Sequence, residues 1–92
     1  MKLPAICESV VVADFETELV VLVPERRKAH LLEPAWALLF DSCRRGDDGD
    51  RLIDEVAAAD GGTPAEVESW VQRALTEFSR LGIVASAEPG SV

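Results

Sequence analysis

Apolar and β-branched residues fill Val10 to Ala13 and again Leu19 to Val23, with Asp14-Phe15-Glu16-Thr17-Glu18 between them. Two such runs around a polar turn predict a pair of short antiparallel strands. Pro24 and Glu25 end the second run, Arg26-Arg27-Lys28 is polar, and Ala29-His30-Leu31-Leu32 is long enough for a third short strand. The first third of the chain therefore reads as a three-stranded antiparallel meander.

At Glu33-Pro34 the period changes. Pro34 suits a first helical position, where its missing N–H costs nothing, and Trp36, Leu39 and Phe40 recur at helical spacing. This helix is expected to stop near Ser42. The polar loop Arg44 to Asp50 holds two glycines, and Leu52, Ile53, Val56 and Ala57 then predict a second helix capped by Asp48 or Asp50. Gly61-Gly62 closes it. Thr63-Pro64-Ala65-Glu66 opens a third helix with a capping box, the strongest local signal in the chain. At about 100° per residue, Val67, Trp70, Val71, Ala74, Leu75, Phe78 and Leu81 fall in one arc, with Glu68, Gln72, Arg73, Thr76 and Glu77 outside it. Gly82 is the expected C-cap, Ile83-Val84 is expected to pair or pack briefly, and residues 86–92 read as a frayed tail. The fold class is α+β, a three-stranded antiparallel sheet followed by three helices in a winged helix-turn-helix-like order, forming a single domain with its core over about residues 5–85.

Composition agrees with a folded chain: 48% of the 92 residues are hydrophobic and 28% charged, with a formal net charge of −8. That field repels phosphate backbones and anionic headgroups. No apolar run approaches the roughly 20 residues of a membrane span, and the N-terminus lacks the basic and apolar regions of a signal peptide. The expectation is a cytoplasmic protein that binds neither membrane nor nucleic acid. Cys7 and Cys43 stand in no metal or redox spacing and read as reduced, partly buried thiols.

Catalytic chemistry is sparse. His30, Cys43 and Asp41 can be written as a constellation, but on a strand and a helix end, with nothing in the spacing to bring them together. Asp47-Asp48-Gly49-Asp50 lacks the alternation and the closing Glu of a calcium loop and reads as a solvated cap. No catalytic residue, metal ligand or cofactor is expected. The element order admits a DNA-binding reading, with Gln72, Arg73, Thr76 and Arg80 on an outward face, but Glu66, Glu68 and Glu77 share that face.

The unusual feature is the basic cluster Arg26-Arg27-Lys28 leading straight into the third strand. A strand that closes a meander before helices lies at an edge, with unpaired N–H and C=O groups. An edge strand beside a helix groove binds extended peptides: the main chain supplies affinity and side-chain pockets supply specificity. Val21-Leu22-Val23-Pro24-Glu25 followed by Leu32-Glu33-Pro34-Ala35, then Trp70-Val71-Gln72-Arg73-Ala74-Leu75 and Leu81-Gly82-Ile83-Val84, resembles the PqqD family of peptide chaperones, the RiPP recognition elements. The resemblance spans roughly Val10 to Val84. Glu33 stands where the family usually has Asn, and Trp70 where an acidic residue is frequent. The resemblance implies that the chain binds the leader segment of a ribosomally made precursor peptide as an added strand and delivers it to a separate peptide-modifying enzyme, acting as a monomer or weak dimer. The contacts are then expected from Arg27, Lys28, Ala29, His30 and Leu31 on the third strand and from Trp70, Arg73, Ala74 and Glu77 on the third helix. The basic cluster is expected to favour a leader with Asp or Glu near one end of its binding segment.

Overall fold

A computed structural model describes residues 2–16 and 18–85. Strands β1 (Val11–Phe15), β2 (Glu18–Val23) and β3 (Lys28–Leu32) form an antiparallel sheet in the order β1-β2-β3, followed by α1 (Pro34–Arg45), α2 (Gly49–Asp60) and α3 (Pro64–Leu81). The expected fold class is the one found. The expected tail, residues 86–92, lies outside the described residues.

Alternation along β2 decides which side of the sheet the helices cover. Leu19, Val21 and Val23 are buried, so by the pleat their partners Leu32, His30 and Lys28 on β3 share the helix-facing side. The opposite rows, Val11↔Leu22↔Ala29 and Ala13↔Val20↔Leu31, face away from the helices. The helices close the core with Leu39, Phe40 and Cys43 from α1, Leu52, Ile53 and Ala57 from α2, and Val67, Val71, Ala74 and Phe78 from α3. Burying each large apolar side chain contributes about 1.5–3 kcal/mol. Trp36 adds an edge-to-face contact with the fully buried Phe78, at 5.3 Å and 79°, worth about 0.5–1.5 kcal/mol more.

Local chemistry explains where the helices begin and end. In the capping box of α3, the Glu66 N–H donates to Thr63 Oγ1 (3.2 Å) and the Thr63 N–H donates to Glu66 Oε1 (3.3 Å). Asp48 caps α2 by accepting the Asp50 N–H at 3.0 Å. Glu33 precedes α1 without a side-chain cap bond, as its poor capping chemistry implies. α1 runs past the expected stop at Ser42 to Arg45. Ser42 and Cys43 are buried within its last turns, Arg44 and Arg45 sit favourably at its negative end, and Gly46 supplies the left-handed closing residue at φ 75°. The N-terminal segment, which carries no strand pattern, docks along residues 83–85. Leu3 is buried, the Cys7 N–H donates to the Ile83 carbonyl (3.0 Å), and the Ala85 N–H donates to the Ala5 carbonyl (3.1 Å). Ile83 and Val84 are buried, and Val84 pairs with Ile6.

Candidate functional site

β3 pairs with β2 alone among the described residues, which leaves its other edge open. The side chain that β3 turns toward the helices in mid-strand is His30, half-buried, with Nε2 buried and without a hydrogen-bond partner among the described residues. Across from it lies Glu77 of α3, close enough for the imidazole and carboxylate to interact electrostatically. Glu77 is tied by its own side-chain hydrogen bonds to Arg80, which hold its carboxyl below the usual carboxylate range, with a smaller contribution from His30. The imidazole of the edge strand and the carboxylate of α3 thus lie within electrostatic reach of each other, and the half-buried Trp36 packs on Phe78, next to Glu77 in sequence.

The turn from β2 to β3 sets this spacing. Pro24–Arg26 form one turn of 3-10 helix, and Arg27 closes it in the left-handed region at φ 54°, with its N–H donating to the Pro24 carbonyl. Arg27, expected on the third strand, therefore belongs to the turn, and the strand begins at Lys28. Arg26 leaves the basic cluster altogether: its guanidinium donates to the Arg80 carbonyl at the C-terminus of α3, where the helix dipole favours a cation. Gly82 makes this possible. It sits at φ 82°, and a Cβ there would lie 2.8 Å from Arg26 Nε. Gly82→Ala is expected to cost about 1–2 kcal/mol from the left-handed backbone alone and to displace Arg26, lowering the midpoint of a thermal melt.

The predicted contacts divide. Lys28, Ala29 and Leu31 are exposed on the edge strand, and Arg73 is exposed on α3. Ala74 is 2% exposed and belongs to the core, so it offers no surface to a ligand; the helical arc that contains it points inward at its centre. Trp70, at the border of that arc, is half-buried and lines a cleft with Pro34 and Ala35, where α1 leaves the sheet. The sequence singles out Arg26 only as a member of the basic cluster and Trp36 only as an apolar position of the first helix. Neither has a motif, because the clamp and the ring contact each join elements distant along the chain.

The written-out Cys43, His30 and Asp41 constellation has no support in the geometry: Asp41 pairs with Arg44 at 2.5 Å, His30 faces Glu77, and Cys43 is buried. Burial pushes the Cys43 thiol up to about 11, the reverse of an activated nucleophile. Among the described residues no three His, Cys, Asp or Glu side chains gather to hold a metal, and no helix is long and apolar enough to cross a membrane.

The outer face of the sheet is apolar. Val11, Phe15, Leu22 and Leu31 are large hydrophobic residues exposed there, Leu31 at 62%. A strand added at β3 would extend that face.

No family model and no curated protein matches the chain. Among solved structures, TbiB1 in complex with the TbiA(beta) leader peptide aligns with 91% of this chain and 98% of its own, at a TM-score of 0.84 and 17% sequence identity. The two proteins share a fold.

Proposed function

We propose that this domain binds the leader segment of a ribosomally synthesised precursor peptide as a fourth strand along the free edge of β3 and presents it to a separate modifying enzyme. The observation that carries the reading is the open β3 edge set beside α3, with His30 and Glu77 across the gap. The fold shared with TbiB1, whose structure holds a leader peptide, supports it, and so does the PqqD-like order of elements. Main-chain bonds from β3 supply affinity that tolerates many sequences. Arg27 and Lys28 lie at the turn end of the strand, Arg73 and Glu77 on the helix side, and Trp70 where β3 gives way to α1. On the opposite side of the added strand, alternate peptide residues fall beside Ala29 and Leu31. The protein acts as a monomer or weak dimer in the cytoplasm, without a cofactor.

The test is calorimetric titration with synthetic leader segments of precursor peptides encoded by neighbouring genes. Saturable binding that shifts the β3 amides in an NMR spectrum is the expected result, and a panel without binding counts against the reading. With Arg26 committed to α3, the free positive charge at the turn is Arg27 and Lys28. Charges at an interface rim act chiefly on association rate and are screened by salt. Arg27→Glu with Lys28→Glu is expected to slow association with an acidic leader at low ionic strength, an effect of roughly 1 kcal/mol that fades at high salt. Parallel rate curves across a salt series would reduce the pair to a solvated turn.

A further inference from the structure

On the side of α1 that carries Leu38, two clefts of about 450 and 560 Å³ share Leu38, Val56 and Ala59 and so form one groove between α1 and α2, closed at its Pro34 end by Glu66, Val67 and Trp70 of α3. It runs from Pro34 and Asp60 at one end to Arg45 and Asp48 at the other, with the two helices antiparallel. The twelve residues of α1 along it rise about 16 Å from first to last, or three helical turns. Leu38 lies at its middle, 50% exposed, the one large exposed hydrophobic of the described residues outside the sheet. Ser42, one turn further along α1, lines the groove, is 1% exposed, and has an Oγ without a hydrogen-bond partner among the described residues. An apolar ridge with a buried unpaired hydroxyl beside it is a surface shaped for a ligand that brings both apolar side chains and a polar group.

The rim states the charge of that ligand. Asp47, Asp48, Glu55, Asp60 and Glu66 line the groove against Arg45 and Arg51. Both guanidiniums are already engaged, Arg45 with Asp47 at 2.8 Å and Arg51 with Glu55 at 3.1 Å. With those two pairs set aside, Asp48, Asp60 and Glu66 remain, so the rim is acidic, in a chain of net charge −8. Two antiparallel helices that leave a straight apolar furrow between them accept a third helix, whose i, i+3, i+4 and i+7 side chains fill it.

We infer that the α1–α2 groove is a docking site for a basic amphipathic helix of a partner protein, separate from the β3 edge. The two surfaces meet only at Trp70, which lines the Pro34 end of the groove. A peptide added to β3 leaves Leu38, Val56 and Ala59 open, so a protein holding a peptide presents the groove to the partner at the same time.

The probe is a 14-residue Ala/Leu/Lys peptide with leucines spaced to form one helical face, compared with a peptide of identical composition and scrambled order. Fluorescence anisotropy of the labelled peptides gives affinities, and NMR amide shifts give the location. The patterned peptide is expected to bind at least tenfold more tightly than the scrambled one, with shifts concentrated on Leu38 to Arg45 and Arg51 to Ala59. Leu38→Glu, an exposed position where folding is not at stake, is expected to weaken it tenfold even though the new carboxylate attracts lysines. Equal binding of the two peptides, undiminished binding to Leu38→Glu, shifts centred on β3, or no binding at all would each overturn the proposal. Because leader titration reads β3 and this experiment reads α1 and α2, the failure of one leaves the other standing.

Discussion

Ala29→Pro is expected to leave the domain folded and to weaken leader binding tenfold or more. β3 is an edge strand, paired with β2 on one side through Leu22↔Ala29 and Val20↔Leu31 and open on the other among the described residues. Proline removes an N–H and adds a ring where a docked strand must approach. A lost hydrogen bond contributes about 0.5–1.5 kcal/mol, and the peptide carbonyl left without its donor adds about 1–3 kcal/mol when it is buried by the complex. Together these exceed the 1.4 kcal/mol that corresponds to tenfold. Ala29 is exposed and its side chain is small, so core packing is untouched. Adjacent residues of a strand alternate in which edge their amides face, so His30→Pro is the informative companion: with the Ala29 amide on the open edge, the His30 amide belongs to the ladder with β2, and its proline is expected to lower the melting temperature. Circular dichroism reads the fold of each, and calorimetry on the folded variant reads the binding. A folded edge-side proline variant with unaltered affinity would remove strand addition as the mode of recognition.

What the sequence made legible follows the range of the interactions involved. The capping box at Thr63 and Glu66, the proline starts at Pro34 and Pro64, and the closing Gly82 act within a few residues, and each stands where its chemistry implied. The two faces of the sheet were not legible in this way, because Leu19–Val23 is an unbroken apolar run whose alternation appears only in its burial. The end of α1 was misplaced because Ser42, Arg44 and Arg45 look like loop residues one at a time. Their fit to a helix depends on a core contact and a terminal dipole that appear only in three dimensions. The candidate site was half legible. An edge strand after a meander is a topological consequence, so Lys28, Ala29 and Leu31 could be found by counting strands. Periodicity puts Trp70 at the border of the α3 arc and Ala74 well inside it, and packing covers Ala74 accordingly, at 2% exposure. The division of the basic cluster was invisible, since the acceptor for Arg26 is a carbonyl on α3 rather than an acidic side chain that charge pairing would have suggested.

The second large effect concerns Cys43, which is expected to resist alkylation in the native protein and to make stability fall at alkaline pH. Its side chain is 4% exposed within the core between α1 and the sheet, and loss of water around the thiolate pushes the thiol up to about 11. A free thiol titrates at about 8.5 in the unfolded chain. The folded value lies above the unfolded one, so the stabilising contribution is complete below about pH 8.5 and is lost as pH rises toward 11, because the unfolded chain then releases a proton that the folded chain retains. Over that window the loss amounts to roughly 2–3 kcal/mol, a large fraction of the stability of about 5–9 kcal/mol typical of a domain this size. The chain has no tyrosine to titrate across the same window. Urea melts from pH 7 to 11 are expected to show the decline in the parent protein and a flatter profile in Cys43→Ala. Iodoacetamide is expected to modify the half-buried Cys7 first and Cys43 only as the chain unfolds. Rapid native labelling at Cys43, or identical pH profiles for the two proteins, would show that the thiol ionises freely and that the core around it admits water.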